Sequence, residues 1–195
     1  EEVMAPIVTS EQISEFREKG VTVLRGVFSD WVDLLRKGVD ANMADPDPNA
    51  RIYTGKDGGG RFFVDYCNWT RIHEYKEFIF NSDAAAIGAE LMESKQVQLF
   101  HEHVLVKEAA TGVPTPWHQD APYYCVDSAK TVSLWIPLDD VPRETTPEFI
   151  SGSHKWDKFY RPQRFDGSAL NEHDGLEDIP DINGNRQDYD ILGWA

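Results

Sequence analysis

Gln96-Val97-Gln98-Leu99-Phe100-His101-Glu102-His103-Val104-Leu105-Val106 is the stretch on which the fold turns. Side chains alternate across a strand, so Val97, Leu99, His101, His103 and Leu105 share one face, while Phe100, Val104 and Val106 share the other. Both faces carry apolar residues, which predicts a long strand partly buried on each side. Upstream the texture is helical. Thr9-x-x-Gln12 forms a capping box, Ile13 and Phe16 share a face, and Gly20 terminates a helix over about 10–19. Val21-Thr22-Val23-Leu24-Arg25-Gly26 follows as a strand, and Ser29 caps a helix bearing Trp31, Leu34, Leu35 and Val39. Residues 72 to 93 carry helical periodicity through Ile87, Leu91 and Met92, with Ser82 as a cap before Asp83.

Downstream, Gly112 to Pro116 break the chain, and Trp117 to Cys125 and Thr131 to Leu138 are further strands. Residues 44 to 60 are a loop whose glycines lack the Lys-Ser/Thr pair and helix of a phosphate-binding loop. The polar, aspartate-rich residues 157 to 190 make a long surface excursion bordering a site. Helices first and strands later favour helices packed on an antiparallel sheet or barrel over a doubly wound parallel sheet. The expected class is mainly β with N-terminal and flanking helices.

The 195 residues, 41% hydrophobic, suffice for one domain with a sizeable core. A formal net charge of −15 repels phosphate backbones and anionic lipid, arguing against nucleic acid and membrane surfaces as partners. No apolar run approaches the roughly 18 residues of a bilayer span. Two cysteines, Cys67 and Cys125, without Cys-x-x-Cys spacing, suit a reducing, cytoplasmic setting, and both read as small buried side chains.

The chemistry lies in Pro116-Trp117-His118-Gln119-Asp120-Ala121-Pro122-Tyr123-Tyr124. In an extended segment His118 and Asp120 project to one side, where an imidazole nitrogen and a carboxylate oxygen can converge on one metal ion. A further histidine would complete the facial triad of a non-haem iron oxygenase, which leaves coordination positions open. A bare His-x-Asp is also a common surface pair, so the context matters.

That context comprises Phe100-His101-Glu102-His103-Val104-Leu105-Val106-Lys107-Glu108, Thr115-Pro116-Trp117-His118-Gln119-Asp120, Ser133-Leu134-Trp135-Ile136-Pro137-Leu138-Asp139-Asp140 and Ser151-Gly152-Ser153-His154-Lys155-Trp156. In this order the four blocks resemble the phytanoyl-CoA dioxygenase family, as does the helix-strand-helix opening. The resemblance implies a double-stranded β-helix (jelly-roll, cupin-like) core, with Fe(II), 2-oxoglutarate and dioxygen acting on a small-molecule substrate and ascorbate as a supporting reductant. It makes His118 and Asp120 the first two iron ligands. The retained Asp120 implies hydroxylation, since family halogenases replace this carboxylate to admit chloride. Nothing in the chain corresponds to the family's second histidine ligand and its 2-oxoglutarate-binding arginine. Residues 1–195 are therefore expected to be one oxygenase domain lacking its last core strands.

Other residues carry two readings each. Lys107 is a partner for an anionic co-substrate or a solvated lysine. Gln119 is a donor to the keto acid or, by alternation, points away from the metal. Ser133 and Trp135 share a strand face and line the cofactor pocket, or Trp135 packs in the core. Trp117, Tyr123 and Tyr124 shape a substrate wall or fill the barrel mouth. His154 and His173 are alternative third ligands, with a structural hydrogen bond after the Gly152 turn as the competing role for His154. Two rival functions stand: a cupin-like metal site built from His101, His103 and Glu108, and a non-catalytic barrel module.

Overall fold

The computed structural model describes residues 6–55, 58–126, 128–168, 170 and 175–195. Helix α1 (Ser10–Lys19) has the expected ends. The Thr9 hydroxyl accepts from the Gln12 amide and the Gln12 side chain accepts from the Thr9 amide, which satisfies two of the helix's free donors. Gly20 closes the helix at φ +82°, a conformation that a Cβ disfavours. Residues 21–26 run on without a ladder, in contrast to the expected strand. They are pinned instead by Gln12, which donates to the Val23 carbonyl, and by Thr22, which donates to Glu15. Ser29 opens a 3-10 turn, Ser29–Trp31, and its hydroxyl donates to the Gly26 carbonyl, so helix α2 (Val32–Ala44) starts only beyond it.

The helical stretch expected over 72–93 divides into α3 (His73–Asn81) and α4 (Ala84–Leu91), because Ser82 takes an extended conformation. Strands β1 (Arg51–Thr54), β2 (Arg61–Tyr66) and β3 (His103–Lys107) form one antiparallel sheet in that order. A second, two-stranded antiparallel sheet joins β4 (Phe149–Ile150) to β5 (Ile191–Leu192).

Opposed residues share a sheet face, and the β2–β3 register sorts the side chains accordingly. Phe63, Asp65, Val104 and Val106 lie on one face. Phe63 and Val104 join Leu35 of α2 and Tyr75 and Phe78 of α3 in the larger apolar cluster, against which Val106 packs. Buried Asp65 on this face accepts from Asn42 of α2, which in turn accepts from the Tyr75 hydroxyl. Phe62, Val64, Tyr66, His103, Leu105 and Lys107 lie on the other face. That face is open at Tyr66 and Leu105, while Phe62 is covered by Phe165.

The antiparallel pairing agrees with the sequence reading, but the predominance of strand does not. Helices of 10, 13, 9 and 8 residues outweigh strands of 4, 6, 5, 2 and 2 among the described residues. The long strand expected from Gln96 begins only at His103. Residues 117–125 contain a 3-10 turn, Ala121–Tyr123, in place of a strand. Residues 131–138 alternate as a strand should: Val132 and Leu134 pack on the Val8–Ile87–Leu91 cluster and Ile136 and Leu138 on the larger one. No described segment pairs with them, and a strand needs a neighbour about 4.8 Å away to form its ladder. Both cysteines are exposed, contrary to expectation; Cys67 ends β2 in a left-handed turn at φ +63°. No helix among the described residues is long and apolar enough to cross a membrane.

Gly38 sets how closely α2 approaches α3. A Cβ there would lie 2.7 Å from the Tyr75 ring and 3.0 Å from the Glu74 Cβ. Alanine's helix propensity is worth about 1 kcal/mol over glycine, whereas overpacking costs about 1–3 kcal/mol. Gly38→Ala is therefore expected to unfold at lower urea concentration than wild type, and a rise in the midpoint would refute the close approach.

Candidate metal centre

His118 and Asp120 meet as their spacing predicts, although the backbone leaves the extended region at Asp120 (φ −70°, ψ −40°) to begin the 3-10 turn. His118 Nε2 lies 3.3 Å from Asp120 Oδ1. Their other polar atoms are engaged. His118 Nδ1 is 2.8 Å from the Pro116 carbonyl, which can only accept, so Nδ1 carries the hydrogen and Nε2 of the neutral ring is left with its lone pair. Asp120 Oδ2 accepts from the Ser133 hydroxyl at 3.0 Å. The hydrogen bond with Asp120 raises the His118 pKa, with burial opposing and the Pro116 carbonyl assisting. The same bond lowers the pKa of Asp120, against its own burial. The side chains keep 37% and 51% of their exposure, so the pair is reachable from solvent.

The donor set fits a first-row metal. Two donors at right angles, each about 2.1 Å from one ion, would lie about 3.0 Å apart. The observed 3.3 Å requires little adjustment. A histidine whose remote nitrogen donates to a carbonyl is the usual outer support of a metal-bound imidazole. Among the described residues, no group of three or more His, Cys, Asp or Glu side chains is gathered for a metal.

The Tyr123 ring meets His118 edge-on at 5.9 Å, and Tyr124, next to Ser133 and Asp120, belongs to a larger group of rings. His101, His103, Tyr66, Phe100 and Tyr124 touch one another, with centroid separations from 4.8 Å for Phe100–His101 to 6.4 Å for Tyr66–His101. The His103 ring reaches solvent at the open sheet face. Lost hydration and the neighbouring His101 nonetheless push its pKa down to about 4, with Asp120 pulling upward. It is neutral at pH 7. Tyr66 enters this group only through its pairing with His103, a register that local sequence does not display.

Glu108 is not part of a site with His101 and His103. Its carboxylate accepts from the Arg61 guanidinium and backbone amide, which hold its pKa down at about 2. The cupin-like arrangement is thus not assembled. His154 turns its Nε2 to the Arg17 carbonyl at 3.1 Å, after the Gly152 turn at φ +75°, which is the structural role. His173 lies outside the described residues.

Lys107 shares the open face with His103 and Leu105. Its Nζ donates to Thr115 at 3.0 Å and lies 4.8 Å above the Phe62 ring, with no carboxylate at ion-pair distance among the described residues. Burial lowers its pKa. Gln119 donates to the Lys158 carbonyl and accepts from the Tyr160 amide. Trp117 donates to Asn183, and the Tyr123 hydroxyl bonds both backbone groups of Gln163. Three residues of the motif thereby tie the polar excursion down beside His118 and Asp120, a tether invisible in local sequence because its partners lie 39 to 66 positions away. Trp135, 49% exposed, projects to the same side of its segment as Ser133.

A family model described as phytanoyl-CoA dioxygenase (PhyH) matches residues 16–189. No curated protein and no solved structure matches the chain.

Proposed function

The chain belongs to the phytanoyl-CoA dioxygenase family, and on that premise we propose that it is an Fe(II)- and 2-oxoglutarate-dependent oxygenase that hydroxylates a small organic substrate. The observation that carries this reading is the His118 Nε2–Asp120 Oδ1 pair at 3.3 Å, with each side chain anchored through its other atom. Iron with its keto-acid co-substrate, when bound, would supply oxidative decarboxylation coupled to hydroxylation of an unactivated C–H bond.

The chain's own residues prepare that site. The Pro116 carbonyl holds the Nδ1 proton and aims Nε2, so loading a metal releases only the extra proton that His118 holds when charged. Asp120 offers Oδ1 as an ionised ligand. The Lys107 ammonium, on the open sheet face without a carboxylate partner among the described residues, is the group offered to the anionic co-substrate. Trp135, exposed on the same side of its segment as Ser133, lines the cofactor pocket, while the Gln119 amide is taken up by the Lys158–Tyr160 segment. Among the described residues no third His, Cys, Asp or Glu joins the pair. A jelly-roll core is what membership of the family implies. The net charge of −15 disfavours a polyanionic substrate such as a CoA ester.

The test is succinate formation from 2-oxoglutarate, with Fe(II) and ascorbate added. Iron-dependent succinate, abolished by a chelator and restored by Fe(II), is expected. A folded protein that retains no iron and forms no succinate would return the choice to a non-catalytic module.

A further inference from the structure

Asp120 is held from behind. Ser133 has a single hydroxyl hydrogen, and it is donated to Asp120 Oδ2 at 3.0 Å. The Tyr124 hydroxyl lies 3.3 Å from Ser133 Oγ and also bears on Asp120 itself, whose pKa it helps to lower. Each member is placed independently of the pair it serves. Val132 and Leu134 pack against the Val8–Ile87–Leu91 cluster and, by alternation, turn Ser133 the other way, toward Asp120. The Tyr124 ring is fixed edge-on to Phe100 and His101, with centroids 4.9 and 6.0 Å away.

We propose that Tyr124 and Ser133 are positioning residues that keep Asp120 a one-oxygen metal ligand. The inference rests on the iron reading and adds to it a cause for the open coordination sphere. A carboxylate can bind a cation through one oxygen or both. The Ser133 hydrogen bond draws Oδ2 away from the pair and uses one of its lone pairs, which leaves Oδ1, the oxygen facing His118, the better placed of the two to bind. A two-oxygen Asp120 would use a position that co-substrate or dioxygen needs. In this proposal Ser133, expected from the sequence as a cofactor contact, acts through Asp120.

The experiment is Co(II) titration of the full protein, followed by calorimetry and by the visible ligand-field spectrum, for wild type, Ser133→Ala, Ser133→Thr and Tyr124→Phe. Ser133 is exposed, and circular dichroism verifies that each variant is folded. Ser133→Ala is expected to weaken Co(II) binding about 10- to 100-fold and to shift the spectrum as Oδ2 joins the metal, with Ser133→Thr restoring both. Tyr124→Phe, which removes the weaker of the two hydroxyl contacts, is expected to give a smaller loss in the same direction. Wild-type affinity and spectrum in folded Ser133→Ala would overturn the positioning role alone. A wild-type protein that takes up no Co(II) would overturn the iron reading, and this inference with it.

Discussion

His118→Ala is expected to abolish iron retention and to lower 2-oxoglutarate turnover by on the order of 10³-fold or more, since several kcal/mol of metal-dependent stabilisation correspond to that factor. Nε2 of His118 is the one imidazole nitrogen found beside the Asp120 carboxylate among the described residues, at 3.3 Å. The tautomer that exposes its lone pair is set by the Pro116 carbonyl. Alanine leaves Asp120 alone, and a single carboxylate in water holds Fe(II) weakly. The ring is 37% exposed and outside both apolar clusters, so stability should change little. Metal analysis after loading, succinate release and a urea melt, made on the same preparation, separate loss of the site from loss of the fold. Retained iron with undiminished succinate in the variant would remove His118 from the site.

Asp65→Ala should have the largest effect on folding, about 3–5 kcal/mol at neutral pH. Asp65 is 1% exposed and accepts from Asn42 Nδ2 at 2.7 Å, the Asp47 amide at 3.0 Å and the Tyr66 amide at 2.8 Å. Asp47 and Tyr66 reach water and can recover a partner, whereas fully buried Asn42 cannot, so its amide is stranded between α2 and the sheet. Burial by itself would raise the Asp65 pKa. Hydrogen bonds from Asp47, Asn68, Asn42 and Tyr66 together outweigh it and hold the pKa below the usual value. A depressed folded-state pKa contributes stability that is complete above the unfolded value near 3.9 and lost as pH falls through the folded value. The wild-type advantage over Asp65→Ala should therefore narrow in acid. A gap that widens below about pH 4, or none at pH 7, would contradict this account.

How far these features were legible depended on the range of the interaction behind each. The α1 capping box joins Thr9 to Gln12 and the Gly20 turn closes on Phe16, so both were readable to the residue. His118 and Asp120 converge because two positions along a chain suffice to put them on one side. Alternation over 131–138 was likewise visible, but the lack of a ladder partner among the described residues was not, because pairing is a property of two segments. The same limit hid the exposure of Cys67, whose left-handed turn follows from how β2 meets β3.

By itself, then, the sequence determined the N-terminal helices, the period-two faces of residues 103–106 and 131–138, and the closeness of His118 to Asp120, because each rests on contacts within about four residues of chain. Only the tertiary structure decided that Asp65 is buried against Asn42, that Tyr66 stands opposite His103, and that Ser133 secures Asp120 from 13 positions away. Those contacts form when separate segments pack in one register, and the loop closures that bring them together leave no mark in local residue pattern.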